Sequence, residues 1–489
     1  MSFLNTLYSA ALFLGLYFLG KYLRNQRASP QLNEPPNVPY FLPLVGHSLQ
    51  LYLDPKRFLK KCNQQYGDIF NLFIMGKRVT VVRDRYAMEM FRAPDKIVVP
   101  ATADDFLHMD YMLDYELIHS VKVDPVTTVV KEEMTASKGK RYALKIVDRV
   151  RISIDKLLGT GDHPVIVEKP MEFSREIFAR ISARVFAGEE CKDNEEIITS
   201  FKRFSQDVVK AALFFDPFPR FMYPYIAPWL TPLTSPHHQV LLRYVTPIVE
   251  ERRQKAATLG EAWETEKPQD ILQFLIENEE LVDRPAKHVV LYLLATLFAS
   301  IHTTSTNTTL CLFELANHPK MMEILREEQI SVLASNNNQF DSNAIDKMKL
   351  LDSFIREVLR HGDHMLGMRR KSVDVMEFSN GYQIPPGRTI LPQFYHTNMV
   401  TGEDFDPFQF AANGRLASGG GNGFITFGLG KHACPGRWFA ILAIKIILAT
   451  VIQNYDLKSV SGKHVEPWYA LGMFTMTAKE PLIFTKCQK

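Results

Sequence analysis

The chain has 489 residues, 46% of them hydrophobic, enough to bury a large core and to form two to four domains on length alone. A formal net charge of +3 is too small to imply nucleic acid or a strongly acidic partner. The cysteines (Cys62, Cys191, Cys311, Cys434, Cys487) are odd in number and scattered, which argues for a reducing compartment rather than a disulfide framework.

Residues 1–20 carry no charge, Phe3 to Leu19 is largely apolar, and Lys21, Arg24 and Arg27 follow. Such a run is just long enough to cross a bilayer, which needs about 20 apolar residues. It lacks the leading basic residues and small-residue end of a cleaved signal peptide. Residues 1–21 therefore read as a transmembrane signal anchor, with everything after Lys21 cytosolic by the positive-inside rule. Residues 22–46 are a basic, proline-rich linker, stiffened because proline fixes φ. A helix is predicted over about 54–65, followed by two strands, 69–74 and 78–83, that pair as a hairpin around Met75-Gly76-Lys77. Another helix begins near Arg85, and residues 101–125 show no clear period.

Helical periodicity dominates 143–255, interrupted by an aromatic and proline-rich stretch from Phe214 to Leu230 that cannot be one regular helix. That stretch packs as core under a loop, or forms a lid dipping into lipid, since Trp and Tyr suit the interface. Residues 285–317 form a long helix, apolar almost all round until Ile301, the mark of a buried helix. Polarity then changes abruptly at Ala299-Ser300-Ile301-His302-Thr303-Thr304-Ser305-Thr306. Hydroxyl residues at mid-helix lower helix propensity and bond back to earlier carbonyls, so this break marks either a polar helix interface or a site.

Glu357 and Arg360 sit at i,i+3 on a predicted helix and can pair. The bare pattern is uninformative, since it recurs at Glu172/Arg175, Glu250/Arg253 and Glu323/Arg326. Near the C-terminus lies Phe427-Gly428-Leu429-Gly430-Lys431-His432-Ala433-Cys434-Pro435-Gly436-Arg437-Trp438. Its glycines let backbone approach something flat, and a helix start just after the sulfur favours thiolate over thiol. A thiolate so held suits a soft metal or haem iron; the bland alternative is a buried cysteine in a turn.

The spacing Phe-x-x-Gly-x-x-x-Cys-x-Gly resembles the haem-binding loop of the cytochrome P-450 superfamily, and the run from Lys431 to Ala440 resembles its membrane-bound fungal members. The resemblance covers roughly residues 40–489. It implies a mainly α fold with a smaller β part, a long central helix over haem b and the cysteine loop beneath. Residues 47–489 are then a single catalytic domain behind the anchor, held at the endoplasmic reticulum. Cys434 is the implied iron ligand, Phe427 and Gly428 flank its sulfur, Gly436 follows it, and His432 stands where a basic residue meets a haem propionate. Arg369 or Arg370 reaches a propionate as well. Many members add a Trp-x-x-x-Arg pair for this purpose; no Trp precedes residue 229 here, which leaves Lys131, Lys138 or Arg141 as substitutes.

By the same resemblance Ala299 to Thr304 is the oxygen-binding groove. Thr303 hydrogen-bonds dioxygen and steers protons, Thr304 follows, and His302 replaces the usual acid. Glu357 and Arg360, 77 and 74 residues before Cys434, resemble the buried ion pair behind the haem. Its usual third member, an arginine, is replaced by Gln409, leaving Gln409 or Arg415 to close the network. Pocket candidates are Phe106, Met109, Met112, Leu297, Ile301, Leu366, Met368, Met473 and Phe474, from the 101–125 region, the groove, segment 364–368 and the final hairpin. Their apolar character fits a lipid-like substrate.

The implied activity is monooxygenation of a lipophilic terpenoid, steroid or similar metabolite. No flavin or nicotinamide motif is present, so electrons come from a separate NADPH-dependent cytochrome P-450 reductase, with cytochrome b5 as an optional second donor. Lys431 and Arg437 are candidate docking charges. Two rivals are a haem-thiolate isomerase or dehydratase, which needs neither reductase nor Thr303, and a non-catalytic haem-binding protein, which has no use for the hydroxyl-lined helix break.

Overall fold

Strands β1 (Ile69–Ile74) and β2 (Lys77–Val82) form the expected antiparallel hairpin, Ile69 opposite Val82 and Ile74 opposite Lys77. The computed structural model describes residues 32–42, 45–74, 76–98, 111, 113–215, 222–470 and 474–487. The predicted anchor, linker residues 22–31, 43 and 44, and Phe106, Met109, Met112 and Met473 lie outside them.

The hairpin follows helix α1 (Pro55–Tyr66), whose start is fixed by Asp54 accepting the Arg57 N–H and by proline at the first turn. After α2 (Asp84–Phe91), β3 (Ile97–Val98) and α3 (Pro125–Glu133), helical structure dominates. The main helices are α4 (Ala143–Leu158), α5 (Pro170–Val185), α6 (Glu195–Phe215), α7 (Tyr223–Leu259), α8 (Ala286–Asn317), α9 (Pro319–Ala334), α10 (Lys349–His361) and α11 (Arg437–Asn454). Strands β4 (Arg370–Ser372) and β5 (Thr389–Pro392) join the hairpin in one five-stranded sheet, β5 parallel to β2 and β4 between β5 and β3. A short hairpin, β6 (Trp468–Ala470) and β7 (Phe474–Met476), forms near the C-terminus as expected, before a last strand at Leu482–Lys486.

The predicted helix at 285–317 is α8, walled by α5, α6, α7 and α11. Both α8 and α11 are long and apolar enough to cross a membrane, yet most of each is buried inside the protein, as core helices are. All five cysteines are free.

The interruption expected from Phe214 to Leu230 is shorter than the composition implied. Helix α6 runs to Phe215 and α7 resumes at Tyr223, with Pro224 in its first turn and Pro228, Pro232, Pro236 and Pro247 inside it. Proline is tolerated in a first turn because that N–H has no partner anyway. Pro228, Pro232 and Pro236 fall one turn apart on an exposed side of the helix, where water reaches the carbonyls that lose their donors.

Candidate active site

The cysteine loop is shaped by two backbone constraints. Gly428 and Gly430 adopt φ of 65° and 66°, and a Cβ on Gly430 would come within 3.1 Å of the Phe91 carbonyl oxygen. The Cys434 N–H donates to the Phe427 carbonyl at 2.7 Å, which ties the two ends of the motif together. Arg437, first residue of α11, donates to the Cys434 carbonyl at 2.6 Å and stacks over the Trp438 ring at 3.6 Å. It is thus a loop brace, which leaves exposed Lys431 as the open charge of the pair.

The thiol itself corrects one expectation. Burial pushes the Cys434 pKa up, and the Gly436 N–H, the Arg437 charge and the Arg437 N–H offset this only in part. Protein groups alone therefore favour the thiol; iron at the sulfur would favour the thiolate.

Beside the loop lies a cationic corner. Arg370 is 1% exposed, and among the described residues its guanidinium donates to the carbonyls of Met368, Arg369 and His432, at 3.2–3.3 Å, and to the Met368 sulfur, and lies over the Phe91 ring. Its Nε has no partner, and burial pulls its pKa down to about 10. His432 Nε2 is also buried and unpartnered; burial, and then the charges of Arg370, Lys431 and Lys131, lower its pKa, so the ring is neutral and the buried charge of this corner is that of Arg370. No carboxylate pairs with Arg370 or His432 among the described residues. Buried cationic groups without counter-charge are strongly disfavoured, so the corner fits an anionic group, and haem carries two propionates. With the Cys434 sulfur on the same loop, the residues fit a haem held by Cys434, Arg370 and His432. Among the three substitutes for the missing Trp-x-x-x-Arg, only Lys131 acts on this corner, because Lys138 and Arg141 both pair with Glu133. Arg369, just before β4, remains partly exposed.

On α8, Ala299 and Thr303 are exposed at mid-helix although most of the helix is core, so they face an internal space. Ala295, Phe298 and His302 share that open side in part. Leu297 and Ile301, expected in the pocket, are 1% and 0% exposed and pack into the core instead. At 100° per residue each stands about 200° round the helix from the residue two positions on, which is Ala299 or Thr303. Leu366 is likewise buried, at 2%, whereas Met368 and Phe474 keep accessible surface. Ala295, one turn before Ala299, could have been found by extending the stripe backwards.

The hydroxyl run is a ladder of backward bonds. Thr303 donates to the Ala299 carbonyl at 3.0 Å, Thr304 to Ser300 at 2.7 Å and Thr306 to His302 at 2.9 Å. Each donor hydrogen is used, so the Thr303 oxygen offers its lone pairs to the space. Neighbouring His302 has a buried Nδ1 without a partner, and burial, then the Arg175 charge, lower its pKa to about 4. It is a neutral imidazole at neutral pH. His364 is held down to about 4 by burial and then by the His302 charge. Its Nδ1 accepts the Thr475 N–H at 2.9 Å, leaving Nε2 to carry the proton.

Glu357 and Arg360 pair on α10, both essentially unexposed. Neither Gln409 nor Arg415 completes their network. Arg360 instead donates to the carbonyls of Asn398, Gly402 and Asp404, and Glu357 accepts the Asp406 N–H at 2.9 Å.

Comparison with known proteins identifies the family. The Cytochrome P-450 family matches residues 36–484. The chain is 28% identical over 482 residues to cytochrome P-450 monooxygenase 103 of Postia placenta, covering 92% of each. It is 31% identical over 417 residues to cytochrome P-450 monooxygenase CYP512U6 of Ganoderma lucidum, covering 81% of this chain and 79% of that one. The fold matches a cyanobacterial CYP120A1 solved with retinoic acid bound, at TM-score 0.71 and 20% identity, over 94% of this chain and all of that one. The chain belongs to the cytochrome P-450 superfamily of haem-thiolate monooxygenases, whose cofactor is haem b.

Proposed function

We propose that this monooxygenase hydroxylates a lipophilic small molecule, of terpenoid or steroid type, with electrons from a separate NADPH-dependent reductase. The observation that carries the reading is the stripe of Ala299 and Thr303, open on a helix that is mostly core. Bound haem supplies the centre at which dioxygen is reduced. Thr303 then holds a proton-bearing partner at its free lone pairs, its own hydrogen being fixed on the Ala299 carbonyl. Cys434 would hold the iron and Arg370 and His432 the propionates, while the small Ala299 leaves its side of α8 open. Phe298, Met368 and Phe474 give the pocket an apolar wall that favours a hydrophobic substrate. A relative solved with retinoic acid supports a substrate of that character.

The enzyme works at the cytosolic face of the endoplasmic reticulum, held by the 1–21 anchor. Tyr225 and Trp229, 77% and 79% exposed at the start of α7, favour lipid contact there. The test is NADPH consumption by the purified full-length chain with purified reductase, across lipophilic compounds preselected by a shift of the ferric haem band. Substrate-dependent turnover with a hydroxylated product supports the proposal. A normal haem spectrum with no turnover on any shifting compound favours the isomerase, dehydratase or carrier readings.

A further inference from the structure

A cavity of about 230 Å³ lies between segment 37–40 and the β1–β2 hairpin, lined among others by Val38, Tyr40, Asn71, Phe73 and Arg78. Its walls are fixed. Asn37 bridges to Asn71 alongside β1, the Asn71 N–H donates to Pro36 at 2.8 Å, and its side chain donates to the Pro35 carbonyl at 2.8 Å. Tyr40 and Phe73 stack in parallel with ring centres 4.6 Å apart.

The charges around it do not balance. The Arg78 side chain is 10% exposed, and its nearest carboxylate oxygen, Glu34 Oε2, is 3.7 Å away, beyond hydrogen-bonding distance. That same oxygen accepts from Arg388 at 2.7 Å. One carboxylate thus serves two guanidiniums, and Arg78 donates no hydrogen bond among the described residues. Burial, and then Arg388, disfavour its charge. A guanidinium fork in a cavity, short of one negative charge, is a recognition site for an oxyanion. The chain that follows Tyr40 is rich in exposed apolar side chains: Phe41 is 100% exposed, Leu53 72%, Tyr52 57%, and Leu42 and Leu49 49% each. An anion followed by hydrocarbon satisfies both features.

We propose that this cavity binds the phosphate of a phospholipid head group, Arg78 supplying the charge, the Tyr40–Phe73 stack the wall, and the Phe41–Leu53 surface the seat for the acyl chains. The site is independent of the haem chemistry, so its test neither needs nor judges the proposed activity.

The full-length haem-loaded chain in neutral detergent is titrated calorimetrically with dihexanoyl phosphatidic acid, dihexanoyl phosphatidylcholine and inorganic phosphate. Saturable binding of phosphatidic acid is expected, weakened about tenfold in Arg78→Gln and retained in Arg78→Lys. Glu34→Gln should tighten binding, since it removes the competing carboxylate, an outcome that a merely structural role would not produce. Unchanged haem absorption in each variant reports an intact fold. Inorganic phosphate binding as tightly as the lipid overturns the head-group assignment. Absence of saturable binding, or equal binding by wild type and Arg78→Gln, overturns the site.

Discussion

Glu357 and Arg360 meet through two parallel hydrogen bonds of 2.7 Å, and the other bonds of this pair are closed by main chain, the adjacent His361 and the Met399 sulfur. The arrangement fastens helix α10 to segment 398–406. Burial alone pushes the Glu357 carboxyl up, but the bonds from Arg360, His361 and the Asp406 N–H bring it below its ordinary value. This pair therefore contributes stability at neutral pH that is lost as the carboxyl protonates in acid.

Glu357→Gln leaves a buried guanidinium facing only carbonyls. It should destabilise the fold by about 3–5 kcal/mol and depress haem content. Gln409→Ala and Arg415→Ala, outside the network, should stay within about 0.5 kcal/mol of wild type. Thermal denaturation of the three variants decides this; a large loss in either control would return that residue to the network.

Thr303→Ala removes one hydroxyl bonded within its own helix, so stability should change by no more than about 1 kcal/mol. Haem content and the carbon-monoxide difference spectrum should be retained. The fraction of NADPH electrons recovered in product should fall, with hydrogen peroxide rising to match, and Thr303→Ser should restore coupling. Coupling unchanged in the alanine variant would remove Thr303 from proton handling.

His302 and His364 have pKa values lowered from 6.5 to about 4. Between those values the unfolded chain binds the protons that the folded chain refuses. Stability should accordingly be full above pH about 6.5 and fall as pH drops towards about 4. Urea unfolding at several pH values across that window should show a shallower dependence in His302→Leu than in wild type. Identical slopes would mean that His302 is not neutral in the fold.

Arg370→Met distinguishes a cofactor-binding charge from a structural one. With haem bound, the variant should release it faster to a haem-scavenging protein. With haem removed, the variant should be no less stable than wild type, because the buried guanidinium has no carboxylate partner to lose. A variant equally retentive of haem would exclude Arg370 from the propionate site.

What could be seen in the sequence was whatever has a local cause. Helix α8 followed from apolar residues almost all round until Ile301, and the β1–β2 hairpin from strand-like runs around Gly76. The cysteine loop was legible because its glycines and its sulfur are fixed by spacing. The phase of α8 was not: a helix apolar all round has no preferred face in its composition, so Leu297 and Ile301 were placed on the wrong side. The partners of Arg360 were equally hidden, since they are carbonyls, which every residue possesses. Choosing Arg370 over Arg369 needed the start of β4, where one side chain turns inward and its predecessor stays partly exposed.

Pro228, Pro232 and Pro236 leave the first half of α7 with fewer rungs than the second. Amide protons from Tyr225 to His237 should therefore exchange with deuterium well before those from Leu241 to Leu259, as a separate unit of opening. Such a segment can fray and re-form without disturbing the core behind it. A bulky guest would then be admitted by brief melting of one helical end, rather than by a swinging door.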